Sequence, residues 1–189
     1  MGMKILFLSA NTEKINIVPV PLGLSYVAAA TRSRGHEVRV LDLMTSTDFR
    51  LSIRETIDSF NPDVIGVSVR NIDNQMLHGA RFLLDDVRDV VLCCRSLRNV
   101  PIVLGGAGYS IFPQAVLDYL DADMGIQGEG EWVFPELIER LEKRADLGGV
   151  PGLYLKGRGL QGKRAFVHDL DDLPAVDVHG FLSGYDRTL

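Results

Sequence analysis

The chain has almost no cysteine, no long apolar run, no excess of positive charge and no standard nucleotide loop. Its only cysteines are Cys93 and Cys94, side by side. Neighbours on a helix point about 100° apart, so the pair is poorly placed to grip one metal ion. Neither a CxxC nor a CxxxCxxC spacing exists, and the two thiols read as small apolar helix residues. The four histidines (His36, His78, His168 and His179) form no HExxH or other spaced metal pair. Lys and Arg number 20 against 25 Asp and Glu, a net charge of −5 with no basic run, which argues against nucleic acid or an anionic membrane as the main partner. No apolar stretch approaches the roughly 20 residues needed to cross a bilayer. The first residues lack a basic leader and a small-residue cleavage site, so the expected location is the cytoplasm. GxGxxG does not follow the first apolar run, and GxxxxGK[ST] is absent, which removes most of the support for NAD and ATP. There is no internal repeat and no low-complexity tract.

What is present is a regular succession of strands and helices. A chain of 189 residues, 46% hydrophobic and 24% charged, has the size and composition of one soluble domain with some extra. Residues 4–9, 37–42, 63–68, 102–104 and 123–127 read as strands. Residues 22–34, 51–60, 76–97, 113–120 and 131–143 read as helices by their apolar spacing. The run Val64-Ile-Gly-Val67 is apolar throughout, as a central parallel strand should be. Five β-α units in succession predict an α/β fold, a parallel sheet with helices on both faces, over about residues 3–145. After Arg144 the composition shifts. Leu153-Tyr-Leu155 and Arg164-Ala-Phe-Val167 flank a glycine-rich turn and predict a hairpin, and Asp169-Leu-Asp-Asp-Leu-Pro174 reads as an irregular acidic segment.

In such a sheet, ligands bind outside the carboxyl ends of the strands. Two of those ends are rich in glycine: Gly105-Gly106-Ala107-Gly108-Tyr109 and Gly128-Glu129-Gly130. Glycine there signals close approach to the backbone, against the plainer reading of a flexible turn. The polar segment Ser68-Val69-Arg70-Asn71 follows the third strand, where it is either a solvated loop or part of a site. Glu129 and Glu131 open a helix and could simply complement its dipole. The first strand is followed by Asn11 and then Pro21-Leu-Gly23-Leu24 at the start of a helix.

The ordered set Pro21-Leu-Gly-Leu-Ser-Tyr-Val-Ala28, Arg34-Gly-His-Glu-Val38, Asn61-Pro-Asp-Val-Ile-Gly-Val-Ser68, Arg70-Asn-Ile-Asp-Asn74, Gly105-Gly-Ala-Gly-Tyr-Ser110 and Gly128-Glu-Gly-Glu131 resembles the N-terminal cobalamin-binding domain of B12-dependent radical SAM proteins. The resemblance covers about residues 3–174. It implies a five-stranded flavodoxin-like (Rossmann-like) sheet with the corrin over its carboxyl edge and the nucleotide tail slotted beside the central strands. Ser68 matches the serine beside that tail, Gly105, Gly106 and Ala107 match the glycines that let it pass strand four, and Gly128 and Gly130 match the turn after strand five. With Asn11, Pro21, Gly23, Leu24, Val69, Arg70, Asn71, Gly108, Tyr109 and Glu129, these are the expected cofactor-binding residues. Replacing Gly106 with Val is expected to fill the tail's room.

Two departures stand out. The DxHxxG motif, whose histidine binds cobalt from below in related mutases, is missing from Ala10-Asn-Thr-Glu-Lys-Ile-Asn16, so no histidine ligand is expected and Arg70-Asn71 is the segment best placed beneath the corrin. The cluster motif CxxxCxxC is also missing. The resemblance therefore implies a module of a longer parent, residues 146–189 leading toward a radical SAM domain that would carry the [4Fe-4S] cluster and S-adenosylmethionine. The parent would be methyltransferase-like, with no self-contained catalytic residue in this chain. From another class, the rival is a flavodoxin-like regulatory or partner-binding domain without cofactor. Asn11, Glu13, Asn71 and Asp73 fit a phosphoacceptor site poorly, and Ser9-Ala-Asn-Thr12 is thin for a flavin phosphate loop.

Overall fold

The computed structural model describes residues 2–12, 19–74, 76, 78–167 and 169–176. The five parallel strands are β1 (Lys4–Ser9), β2 (Glu37–Asp42), β3 (Val64–Ser68), β4 (Ile102–Gly105) and β5 (Met124–Ile126), followed by the short β6 (Leu153–Leu155) and β7 (Gly159–Leu160). The sheet order is β2-β1-β3-β4-β5-β6-β7, with β6 and β7 antiparallel to their neighbours. The progression of strand order reverses between β1 and β3, the switch point where a crevice opens. Register brings Ser9, Ser68 and Gly105 level with one another at the carboxyl edge.

Side-chain alternation sorts the strands between two cores. Leu6, Leu8, Ile65, Val67, Ile102 and Leu104 point to the face covered by α2 (Phe49–Phe60), α3 (Leu84–Leu97), α4 (Ala107–Ile111) and α5 (Pro113–Leu120). Ile5, Phe7, Val64 and Val103 point to the opposite face, covered by α1 (Leu22–Ser33) and α6 (Gly130–Glu142). On that second face Gly66 is required by packing. A Cβ there would lie 2.5 Å from the Phe7 ring, which crosses it to meet Phe134 at 4.7 Å between centroids. Helix α1 closes on α6 because Gly130 lets Val27 approach; a Cβ at Gly130 would sit 3.0 Å from it.

Three sequence expectations are corrected. The helix expected from Met76 begins at Leu84. The Asn74 side chain accepts from the backbone N–H of Met76 and Arg81 and donates to the Gly79 carbonyl, closing the chain into a loop that competes with helix. His78 therefore lies in this loop and not in a helix. The glycine-rich stretch after β4 is not only a turn, since it forms the short α4. The second hairpin strand is Gly159–Leu160 rather than 164–167, because Gly157 and Gly159, with φ of 72° and 70°, turn the chain back at once. Since β6 pairs with β5, the hairpin extends the sheet.

Candidate functional site

A cleft of about 770 Å³ opens at the carboxyl edge of β1, β3, β4 and β5 and runs down between the sheet and the helices α1 and α6. That size falls in the range of small-molecule sites, roughly 300–1,000 Å³. Its floor is apolar: Phe7, Val103, Ile126 and Phe134, with Gly66 between them. Its mouth is polar and glycine-rich. Of the residues expected from the sequence, Asn11, Pro21, Gly23 and Leu24 line the α1 side, and Ser68, Arg70 and Asn71 line the end of β3. Gly105, Gly106 and Ala107 line the end of β4, and Gly128, Glu129 and Gly130 line the turn into α6.

Val69, Gly108 and Tyr109 lie outside this lining. Val69 is buried in the core on the α2/α3 face, and its carbonyl accepts from the Gly108 N–H at 3.0 Å. Gly108 is small because a Cβ would press on the Arg70 carbonyl at 2.9 Å. Tyr109 is fully buried, with its ring stacked where a Cβ on Gly125 would be, 2.3 Å away. Burial raises the pKa of its phenol, whose oxygen has no hydrogen-bond partner among the described residues.

The two glycines at the end of β4 do different things. Gly106 has φ of +97°, and a Cβ there would meet the Val69 carbonyl at 2.6 Å. Its smallness serves the fold, so the expectation that Gly106→Val acts by filling the ligand's room is corrected. Gly105 has nothing within 4 Å of its Cβ position, and that open space belongs to the cleft. Ser110, not anticipated from the sequence, joins two rims. Its hydroxyl donates to the Gly106 carbonyl at 2.9 Å and accepts from the Gly128 N–H at 3.0 Å.

The acidic pair at the start of α6 also divides. Glu129 sits at the helix N-cap but makes no side-chain cap; its carboxylate accepts the Val167 N–H. Glu131 lines the cleft with one carboxylate oxygen buried and without a partner among the described residues. Burial raises its pKa, and the nearby Glu129 charge adds to the effect. Arg164, arriving from beyond the hairpin, completes the wall beside Gly128. Gly66 and Ser110 stand inside the motif strings but were not singled out, whereas Arg164, Phe7 and Phe134 carry no local motif and only the tertiary fold brings them here. Among the described residues no group of His, Cys, Asp and Glu could hold a metal ion, and no helix is long and apolar enough to cross a membrane.

Comparison with known proteins decides the family. Residues 9–138 match the model of the B12 binding domain. The chain belongs to the B12-binding domain family. This B12-binding domain is 32% identical over 152 residues to tryptophan 2-C-methyltransferase of Streptomyces laurentii, covering 79% of this chain and 25% of that protein. It is 33% identical over 165 residues to hopanoid C-3 methylase of Methylococcus capsulatus, covering 84% of this chain and 29% of that protein. Its fold superposes on the radical S-adenosylmethionine methyltransferase TsrM of Kitasatospora setae, solved with cobalamin and a [4Fe-4S] cluster, with a TM-score of 0.78 and 30% identity over 84% of this chain and 30% of that one. The B12-binding domain thus spans only about a quarter to a third of the length of these relatives.

The cleft fits cobalamin. Its apolar floor suits the flat base of a nucleotide tail, Gly23 and Gly105 leave open space on opposite walls, and the polar mouth stands at the strand ends.

Proposed function

We propose that this chain is the cobalamin-holding module of a B12-dependent radical SAM enzyme of the methyltransferase kind, binding the cofactor base-off. The observation that carries the proposal is the continuity of the cleft: one passage leads from a polar, glycine-lined mouth to an apolar floor between the sheet, α1 and α6. The rim residues Ser68, Asn71 and Glu129 offer hydroxyl, amide and carboxylate partners to the ligand's polar groups. Leu24, Phe7, Val103 and Phe134 exclude water from the tail. When bound, cobalamin supplies organometallic group-transfer chemistry; the chain supplies position and environment.

In this reading residues 3–145 are the cobalamin-binding domain. Residues 146–189, beginning with the hairpin on the sheet edge, form the connector toward a radical SAM domain with its [4Fe-4S] cluster and S-adenosylmethionine. The relatives support this: they are about three times as long, and TsrM holds both cobalamin and a cluster. The cytoplasm is the compartment proposed for it. The test is to mix the protein with hydroxocobalamin, desalt it and record the absorption spectrum. Retained corrin absorbance near one equivalent with the base-off signature is expected. Protein free of corrin after every reconstitution overturns the proposal for this chain.

A further inference from the structure

The strap that follows the hairpin lies outside the matched B12 domain, which ends at residue 138, yet it reaches the cleft. Two contacts hold it there. The Val167 N–H donates to the Glu129 carboxylate, and the aliphatic stem of Arg164 packs on Gly128, whose φ of +99° leaves room for it. The Arg164 guanidinium lies over the Phe166 ring, with its carbon 4.3 Å from the centroid. Stacking on a ring occupies the face of a guanidinium and leaves its in-plane N–H groups free to donate. No ion pair engages them among the described residues. An arginine held by its stem and face, with its fork unused, beside the Gly128 turn, is built to receive an oxyanion.

Resting on the cobalamin reading of the cleft, we infer that Arg164 binds the phosphodiester of the cofactor's nucleotide tail, so that the strap is the fourth wall of the site. The cleft has two arginines in its lining, Arg70 at the end of β3 and Arg164 on the β5 side. Only Arg164 adjoins Gly128, in the turn after β5 that walls the cleft. Phosphate is also the one formal anion in the ligand, so it is the group that a guanidinium selects over the neutral amides of the corrin.

The test measures dissociation constants of hydroxocobalamin, cobinamide phosphate and cobinamide for the protein and for Arg164→Gln and Arg164→Lys. Cobinamide lacks the nucleotide and its phosphate. Losing a charge-assisted hydrogen bond should weaken hydroxocobalamin and cobinamide phosphate by about 10- to 100-fold in Arg164→Gln and leave cobinamide unchanged. Arg164→Lys should recover part of the loss. The wild-type affinity for hydroxocobalamin should also fall with added salt more steeply than that of Arg164→Gln. An equal loss on all three ligands, a loss on hydroxocobalamin alone, or no loss and no difference in salt dependence overturns the inference while leaving the cobalamin site standing. A wild-type protein that binds no corrinoid overturns both.

Discussion

At Gly105 and Gly106, neighbouring residues of one type respond differently to the same substitution. Gly105→Val places its methyl groups in the open cleft, on backbone that tolerates a side chain. It is expected to keep the urea midpoint of the empty protein and to lose retention of hydroxocobalamin on desalting. Gly106→Val instead drives a branched side chain against the Val69 carbonyl at positive φ. It should cost about 2 kcal/mol or more of stability before any ligand is added. Equal behaviour of the two variants would refute the division of roles. Glu131 makes a third case, set by charge. Burial raises its pKa above the ordinary 4.5, so the folded chain holds that proton more tightly than the unfolded one. The stability it contributes is full below the unfolded value and is lost as pH rises through the raised one. Glu131→Gln should therefore flatten the decline of stability between mildly acidic and neutral pH in urea titrations, and make the empty protein more stable at neutral pH. A variant with the same pH profile as wild type would show that Glu131 is not the group responsible.

Between residue and fold stand the short elements at the cleft mouth. Helix α4 is five residues long, too short to persist alone, and is held by Ser110 and Tyr109. Ser110→Ala removes the hydroxyl that links the β4 and β5 turns, and the Gly128 N–H loses its acceptor. A cost of about 1–2 kcal/mol is expected in denaturant unfolding, together with weaker retention of cobalamin, because two walls lose their mutual reference. Unchanged stability and retention would show that the turns stand independently. This scale is also where sequence patterns stop being informative. The strands β1, β3, β4 and β5 were legible as short apolar runs and β2 by the alternation of Glu37-Val-Arg-Val-Leu-Asp42, and the helices α1, α2, α5 and α6 because their apolar spacing survives intact. The start of α3 was not, since Asn74 diverts its backbone partners into a loop by a side-chain contact that periodicity does not register. Likewise α4 hides in a glycine-rich string, and β7 follows the turn made by Gly157 and Gly159. Thirteen of the sixteen expected site residues line the cleft: most follow strand ends, which chain order places together, and Pro21, Gly23 and Leu24 stand at the start of α1. Val69, Gly108 and Tyr109 sit in the same strings but face inward. Arg164 and Phe134 come from elements whose approach only packing determines.

On the scale of the whole molecule, the sheet separates the buried His36 from the ligand edge. His36 precedes β2, at the amino ends of the strands; it is buried, and its Nδ1 accepts the Met3 N–H at 3.1 Å. The cleft mouth is at the opposite end of those strands, and its lining contains no histidine among the described residues. The predicted lower face of cobalt is instead the segment after β3, where Arg70 is exposed, lines the cleft and is in no ion pair among the described residues. A guanidinium stays protonated and has no lone pair to offer cobalt. Held below a bound corrin, it would discourage water or a side chain from coordinating there, and so would leave the metal without a strong lower ligand. Electron paramagnetic resonance of the Co(II)-loaded protein is expected to show a base-off spectrum without nitrogen superhyperfine splitting. Arg70→Ala should alter that spectrum as solvent gains access to the lower face, and Arg70→Lys should alter it less. Splitting from one axial nitrogen, which would bring His78 or another imidazole to the metal, refutes the arrangement, as does a cobalt spectrum that ignores the loss of Arg70.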